Sequence, residues 1–119
     1  GRVRLLYATD TATLPPSTTR MLCIDRHVAE SKPLTAIIME ATMGMGHTED
    51  YRLFTHSSVF DVERMVKVLT FTKRYTPPVG QPVYLTHMAR TMHGTQAELD
   101  AQLPAPLKAA YDGLEVIFK

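Results

Sequence analysis

Thr35-Ala36-Ile37-Ile38-Met39-Glu40 is the stretch that decides how this chain is read. Four apolar residues run together without alternation and end on a carboxylate. Such a run predicts a strand buried on both faces, the habit of parallel sheets. Parallel neighbours need long crossovers between them, so helices should lie on either side of this stretch.

They are found by working outward. Downstream, Val59, Val62, Met65, Val66 and Leu69 form one apolar helical stripe. Ser57 or Ser58 is placed to cap its start, Lys67, Lys73 and Arg74 load its C-terminal part, and Thr76-Pro77-Pro78-Val79-Gly80 ends it. Pro82 to Thr86 reads as another short strand. Thr95 to Leu103 reads as a short helix, with Thr95 and Glu98 at capping-box spacing and Pro104 and Pro106 as its stop. Ala109 to Tyr111 and Leu114 to Phe118 read as strands around Asp112-Gly113, a hairpin signal. Upstream, Arg2 to Ala8 reads as a buried strand, and Pro15-Pro16-Ser17 as loop that resists regular structure. Met21 to Glu30 fits either a helical face or a short strand before a turn. Strands alternating with helices give the α/β class.

Composition narrows the function. The chain has 119 residues and a formal net charge of +1, with 21% charged residues, so charge gives no case for nucleic acid or an anionic membrane. No apolar run approaches the ~20 residues that span a bilayer. A lone cysteine, Cys23, excludes an intrachain disulfide framework and fits a reducing, cytoplasmic setting. The sequence opens directly on a strand, without a charged-then-apolar leader, which suggests that another segment normally precedes it.

Two polar residues directly follow apolar strands: Asp10 after Leu5 to Thr9, and His87 after Val83 to Thr86. Strand C-termini are where α/β folds place their sites. A carboxylate and an imidazole there suit zinc, manganese or iron. The plainer readings are a turn-forming Asp and a hydrogen-bonded structural His. His56 stands just before the long helix, where it can serve as a general acid or base, or simply as a cap. Glu40 can orient such a histidine or cap a turn. His47 and His93, in glycine-containing loops, read as surface residues, and Cys23 as a structural thiol.

In order along the chain, Leu6-Tyr7-Ala8-Thr9-Asp10-Thr11, Ile38-Met39-Glu40-Ala41-Thr42, Thr55-His56-Ser57-Ser58, Tyr84-Leu85-Thr86-His87-Met88 and Ala110-Tyr111-Asp112-Gly113-Leu114-Glu115 resemble the C-terminal part of metallo-β-lactamase-fold hydrolases. The pattern is most similar to the phosphodiesterase branch, which includes cyclic-phosphate diesterases of phosphonate metabolism and tRNA 3′-end processing endonucleases. The resemblance implies that residues 1–119 form one segment, the C-terminal half of an αββα sandwich. It implies that Asp10 bridges two divalent metal ions, zinc before manganese or iron. It makes His87 the last histidine ligand and His56 the group that protonates the leaving oxygen or holds phosphate. Two metals about 3.5–4 Å apart activate a water and clamp a phosphodiester.

The family's His-x-His-x-Asp-His motif and its separate histidine have no counterpart in residues 1–119. A closed zinc site takes about four ligands. The segment alone is therefore expected to bind metal weakly and to be inactive. Its expected partners are the missing N-terminal half, or a second copy of the chain, and a phosphodiester substrate. Nucleic acid as that substrate has no support from charge. Two other functions fit the same residues: a non-catalytic interaction or dimerisation module, and a thioester or lactone hydrolase of the same fold.

Overall fold

Four short strands form one all-parallel sheet in the order β1-β2-β3-β4. They are β1 (Leu5–Ala8), β2 (Ala36–Glu40), β3 (Val83–Thr86) and β4 (Leu107–Ala109). Helices α1 (Pro16–Cys23), α2 (Val59–Phe71) and α3 (Gln96–Gln102) lie in the three crossovers. The computed structural model describes residues 2–9, 14–23, 32–42, 44, 56–89 and 93–119. Asp10, His47 and the stretch 24–31 lie outside the described residues. The α/β class expected from the alternation is what the chain adopts.

β2 is central because its sequence leaves it nothing else to be. Ala36, Ile37, Met39 and Glu40 are buried, and only Ile38 is partly open. The register sets Leu6 beside Ile37, and Ala8 beside Met39, which in turn lies beside Leu85 and then Ala109. Side chains alternate along a strand, so these residues share one face. The stripe on α2, Val59, Val62, Met65, Val66 and Leu69, is buried and belongs to the same core cluster as Ile37, Met39, Val83, Leu85 and Leu107.

The cap of α2 is Ser58. Its hydroxyl accepts from the Asp61 backbone N–H and the Asp61 carboxylate accepts from the Ser58 backbone N–H, a complete capping box. Thr95 and Glu98 make the same reciprocal pair at the start of α3. The helix α2 stops at Phe71, so Lys73 and Arg74 lie past its end instead of inside its last turn. Lys73 takes a left-handed φ of 60°, and the Arg74 N–H donates to the Leu69 carbonyl at 2.8 Å.

Two sequence expectations give way, and one open reading is decided in part. Pro16 opens helix α1 instead of prolonging a loop. A proline suits a first helical position because that N–H has no helical partner to lose. The stretch 21–30 is helical through Cys23 and outside the described residues beyond it. The C-terminal hairpin does not form: Leu107–Ala109 pairs in parallel with β3, and no strand follows it. Asp112-Gly113 still turns the chain, with Gly113 at φ 86°. The segment after the turn crosses the second face of the sheet, where Phe118 meets Tyr84 edge to face at 6.2 Å between centroids.

The first strand is also shorter and more open than Arg2 to Ala8 predicts. It spans Leu5–Ala8 at the edge of the sheet, with Leu5 44% and Tyr7 61% exposed. Among the described residues, no helix is long and apolar enough to cross a membrane.

Candidate functional site

Each strand end contributes differently to one corner of the molecule. β2 ends on Glu40, and β3 ends one residue before His87. Glu40 and Thr86 are register partners, so the parallel pairing brings the residues that follow them side by side. The capped start of α2 adds His56, two residues before its N-cap. Ligand atoms of Glu40, His56 and His87 all lie within 4.8 Å of one another. The two imidazole rings have centroids 5.4 Å apart. Residues 16 and 47 positions apart along the chain are thus gathered by the sheet and one helix.

Glu40 is fully buried, which demands partners for its charge. Its Oε1 accepts from the Ser57 backbone N–H at 2.5 Å. Its Oε2 accepts from the Thr42 backbone N–H at 2.9 Å and from the Thr42 hydroxyl at 2.7 Å. A carboxylate offers about four lone-pair sites, so three are already filled. The remaining capacity lies toward His56, whose Nδ1 is 3.7 Å from Oε1. That is close enough for an ion pair with an imidazolium and too long for a hydrogen bond. Glu40 is therefore built first as an orienting carboxylate.

Thr42 ties the cluster together. Its hydroxyl is 3.1 Å from His87 Nδ1, 3.4 Å from His56 Nδ1 and 3.0 Å from the His87 carbonyl oxygen. His87 itself sits at φ 54°, a left-handed conformation. For a residue with a Cβ this costs about 1–2 kcal/mol. The strain is held in place by the Thr42 contacts to both the ring and the carbonyl, and strained backbone of this kind gathers at functional sites.

Beside His87 lies a cavity of about 280 Å³, lined also by Thr86, Met88, Ala110, Tyr111 and Asp112. A larger hollow of about 750 Å³ sits before β3 and β4, with Pro77, Pro78, Pro82 and Pro106 on its walls. It is remote from the histidines, and the smaller cavity is the one that chemistry can reach.

His93 corrects its surface reading. It is half-buried, and its Nε2 lies 2.7 Å from the Ala41 carbonyl oxygen. Its buried Nδ1 has no hydrogen-bond partner among the described residues. His93 thus braces the residue before Thr42. Asp10, the expected bridging ligand, lies outside the described residues, as does His47. Spacing alone did not disclose Thr42. The signal available for it was its position two residues beyond a buried carboxylate, where a threonine can bond back to the preceding turn. No protein-family model, curated protein or solved structure matches the chain.

Proposed function

We propose that this chain supplies the C-terminal half of the active site of a metal-dependent phosphodiesterase of the metallo-β-lactamase fold. The observation that carries the reading is the meeting of His56 and His87 with a buried, largely engaged carboxylate at the C-terminal ends of parallel strands. The ordered resemblance of five segments supplies the reaction class.

The donors suit a divalent cation in kind. Two imidazoles and a carboxylate are the nitrogen and oxygen ligands that zinc, manganese and iron accept. They fall short in number, because Glu40 has most of its capacity filled by N–H and O–H donors. His87, with Asp10, would hold the metals, and the remaining ligands would come from an N-terminal half. When bound, a pair of divalent ions supplies an activated water and a clamp on the phosphodiester oxygens.

The chain's own residues have separable tasks. His56 hands a proton to the departing oxygen, with the carboxylate of Glu40 3.7 Å from its Nδ1 to orient the ring. Glu40 reaches back through the Ser57 N–H and so fixes where α2 begins relative to β2. The cavity flanked by His87, Tyr111 and Asp112 provides room for the substrate next to the histidine.

The experiment uses the parent protein that the resemblance implies, assayed on an activated phosphodiester. His56→Ala should lower kcat by about a hundredfold or more, and Asp10→Ala and His87→Ala should abolish turnover, with circular dichroism unchanged. Full activity in either ligand variant sinks the reading. The 119-residue chain alone should show no tight, stoichiometric zinc in equilibrium dialysis.

A further inference from the structure

The Thr42 hydroxyl has one proton and, among the described residues, four polar neighbours. Two of them, Glu40 Oε2 at 2.7 Å and the His87 carbonyl oxygen at 3.0 Å, can only accept. The other two are imidazole nitrogens, His87 Nδ1 at 3.1 Å and His56 Nδ1 at 3.4 Å. A hydroxyl donates once and accepts through its lone pairs. The short contact to a carboxylate oxygen requires a proton between the two oxygens, because two sets of lone pairs at that distance repel. The backbone N–H of Thr42 bonds the same Oε2, so the threonine is fixed to Glu40 at two points. With its proton committed there, the hydroxyl presents only lone pairs to the imidazoles. His87 Nδ1 can then lie 3.1 Å away favourably only as an N–H donor.

We propose that Thr42 is a positioning residue that fixes His87 in the Nδ1–H tautomer, so that Nε2 keeps the lone pair a cation or a substrate proton would take. The left-handed backbone at His87 has a purpose in this arrangement: it returns both the ring and the carbonyl of one residue to a single hydroxyl. The buried carboxylate acts on His87 through Thr42, one bond removed, and on His56 by proximity. A histidine's working nitrogen is set by the hydrogen bond at the other one, and here the partner is a hydroxyl polarised by a carboxylate. The value of this tautomer to a metal site rests on the phosphodiesterase reading; the tautomer itself does not.

Long-range proton–nitrogen correlation spectra of the ¹⁵N-histidine-labelled chain read the tautomer directly. They are recorded at about pH 8, where an ordinary imidazole is neutral, with the His87 signals assigned by their loss in His87→Gln. The wild-type chain should show the Nδ1–H form at His87. Thr42→Ser, which keeps the hydroxyl, should preserve it. Thr42→Val, which keeps the shape and removes the hydroxyl, should shift His87 toward the Nε2–H form. An Nε2–H pattern in the wild type, or an unchanged Nδ1–H pattern in a folded Thr42→Val, overturns the proposal. If Thr42→Val does not fold, the wild-type and Thr42→Ser spectra still decide. An inactive parent enzyme would remove the hydrolase reading and leave these spectra unaffected.

Discussion

The two faces of the sheet are built from the same strands and have opposite fates. On one face Leu6, Ile37, Met39, Val83, Leu85 and Leu107 meet the stripe of α2, and Ile37, Val83 and Leu85 are wholly excluded from solvent. On the other face Tyr7, Ile38, Tyr84 and Lys108 stand in one row across the four strands. Among the described residues, the C-terminal segment is what crosses that row, through Phe118 and its neighbours Leu114 and Val116. Apolar alternation therefore says which residues share a face, and a covering element decides whether they are buried. The second face keeps Leu5 and Tyr7 exposed at the edge strand, at 44% and 61%.

Substitutions can break or sharpen this contrast. Leu69→Ala, at the centre of the covered face, should lower unfolding free energy by about 2–5 kcal/mol in urea titration. A loss under 1 kcal/mol would mean that α2 does not seal the sheet (~2 kcal/mol being the floor for buried leucine). Glu40→Leu tests the polar end of β2. It strands the buried N–H groups of Ser57 and Thr42 and should cost about 1–3 kcal/mol for each. Ser58→Ala removes one half of the capping box that anchors α2 and should cost about 1 kcal/mol in the same titration.

Tyr75 gives the covered face a pH signature. Burial pushes its phenol above the usual tyrosine range, with the nearby Gln81 side chain pulling it part of the way back. The folded state therefore holds the proton more tightly than the unfolded chain does. Its contribution is complete below the unfolded value of about 10 and declines as pH rises through the folded one. Urea midpoints followed upward from about pH 9 should fall less steeply in Tyr75→Phe than in the wild type. An identical alkaline decline in the two proteins would remove Tyr75 as its source. On the open face, Tyr7→Ser should change stability by no more than about 0.5 kcal/mol in the isolated chain. A loss comparable to Leu69→Ala would show that Tyr7 is covered in solution by something it lacks here.

Much of the fold was legible because its signals are local and consistent. The continuous run at Ala36 to Met39 fixed a doubly covered strand, and the Val59 to Leu69 stripe matched the buried residues of α2 one for one. The capping boxes at Ser58 and Thr95 work by short-range hydrogen bonds, so spacing suffices to find the second and nearly the first. The C-terminal hairpin was misread because Asp112-Gly113 specifies a turn and not what the chain pairs with afterwards. Leu107 to Ala109 found a parallel partner in β3 instead.

The site was legible in part. His56, His87 and Glu40 each stand at the end of an element, a position that sequence can flag. Their convergence depends on β2 and β3 being neighbours in register, which sequence does not state. Thr42 stands in the Ile38 to Thr42 segment with no role of its own for a related reason: its role comes from four partner atoms among the described residues, three of them 14 or more residues away.

The most direct measurement is phosphodiester hydrolysis by the parent protein and its His87→Ala variant, with bound metal quantified in both. The account predicts that His87→Ala keeps its circular dichroism and loses both bound metal and turnover. A His87→Ala protein that hydrolyses the substrate as fast as the wild type, with its metal in place, contradicts it.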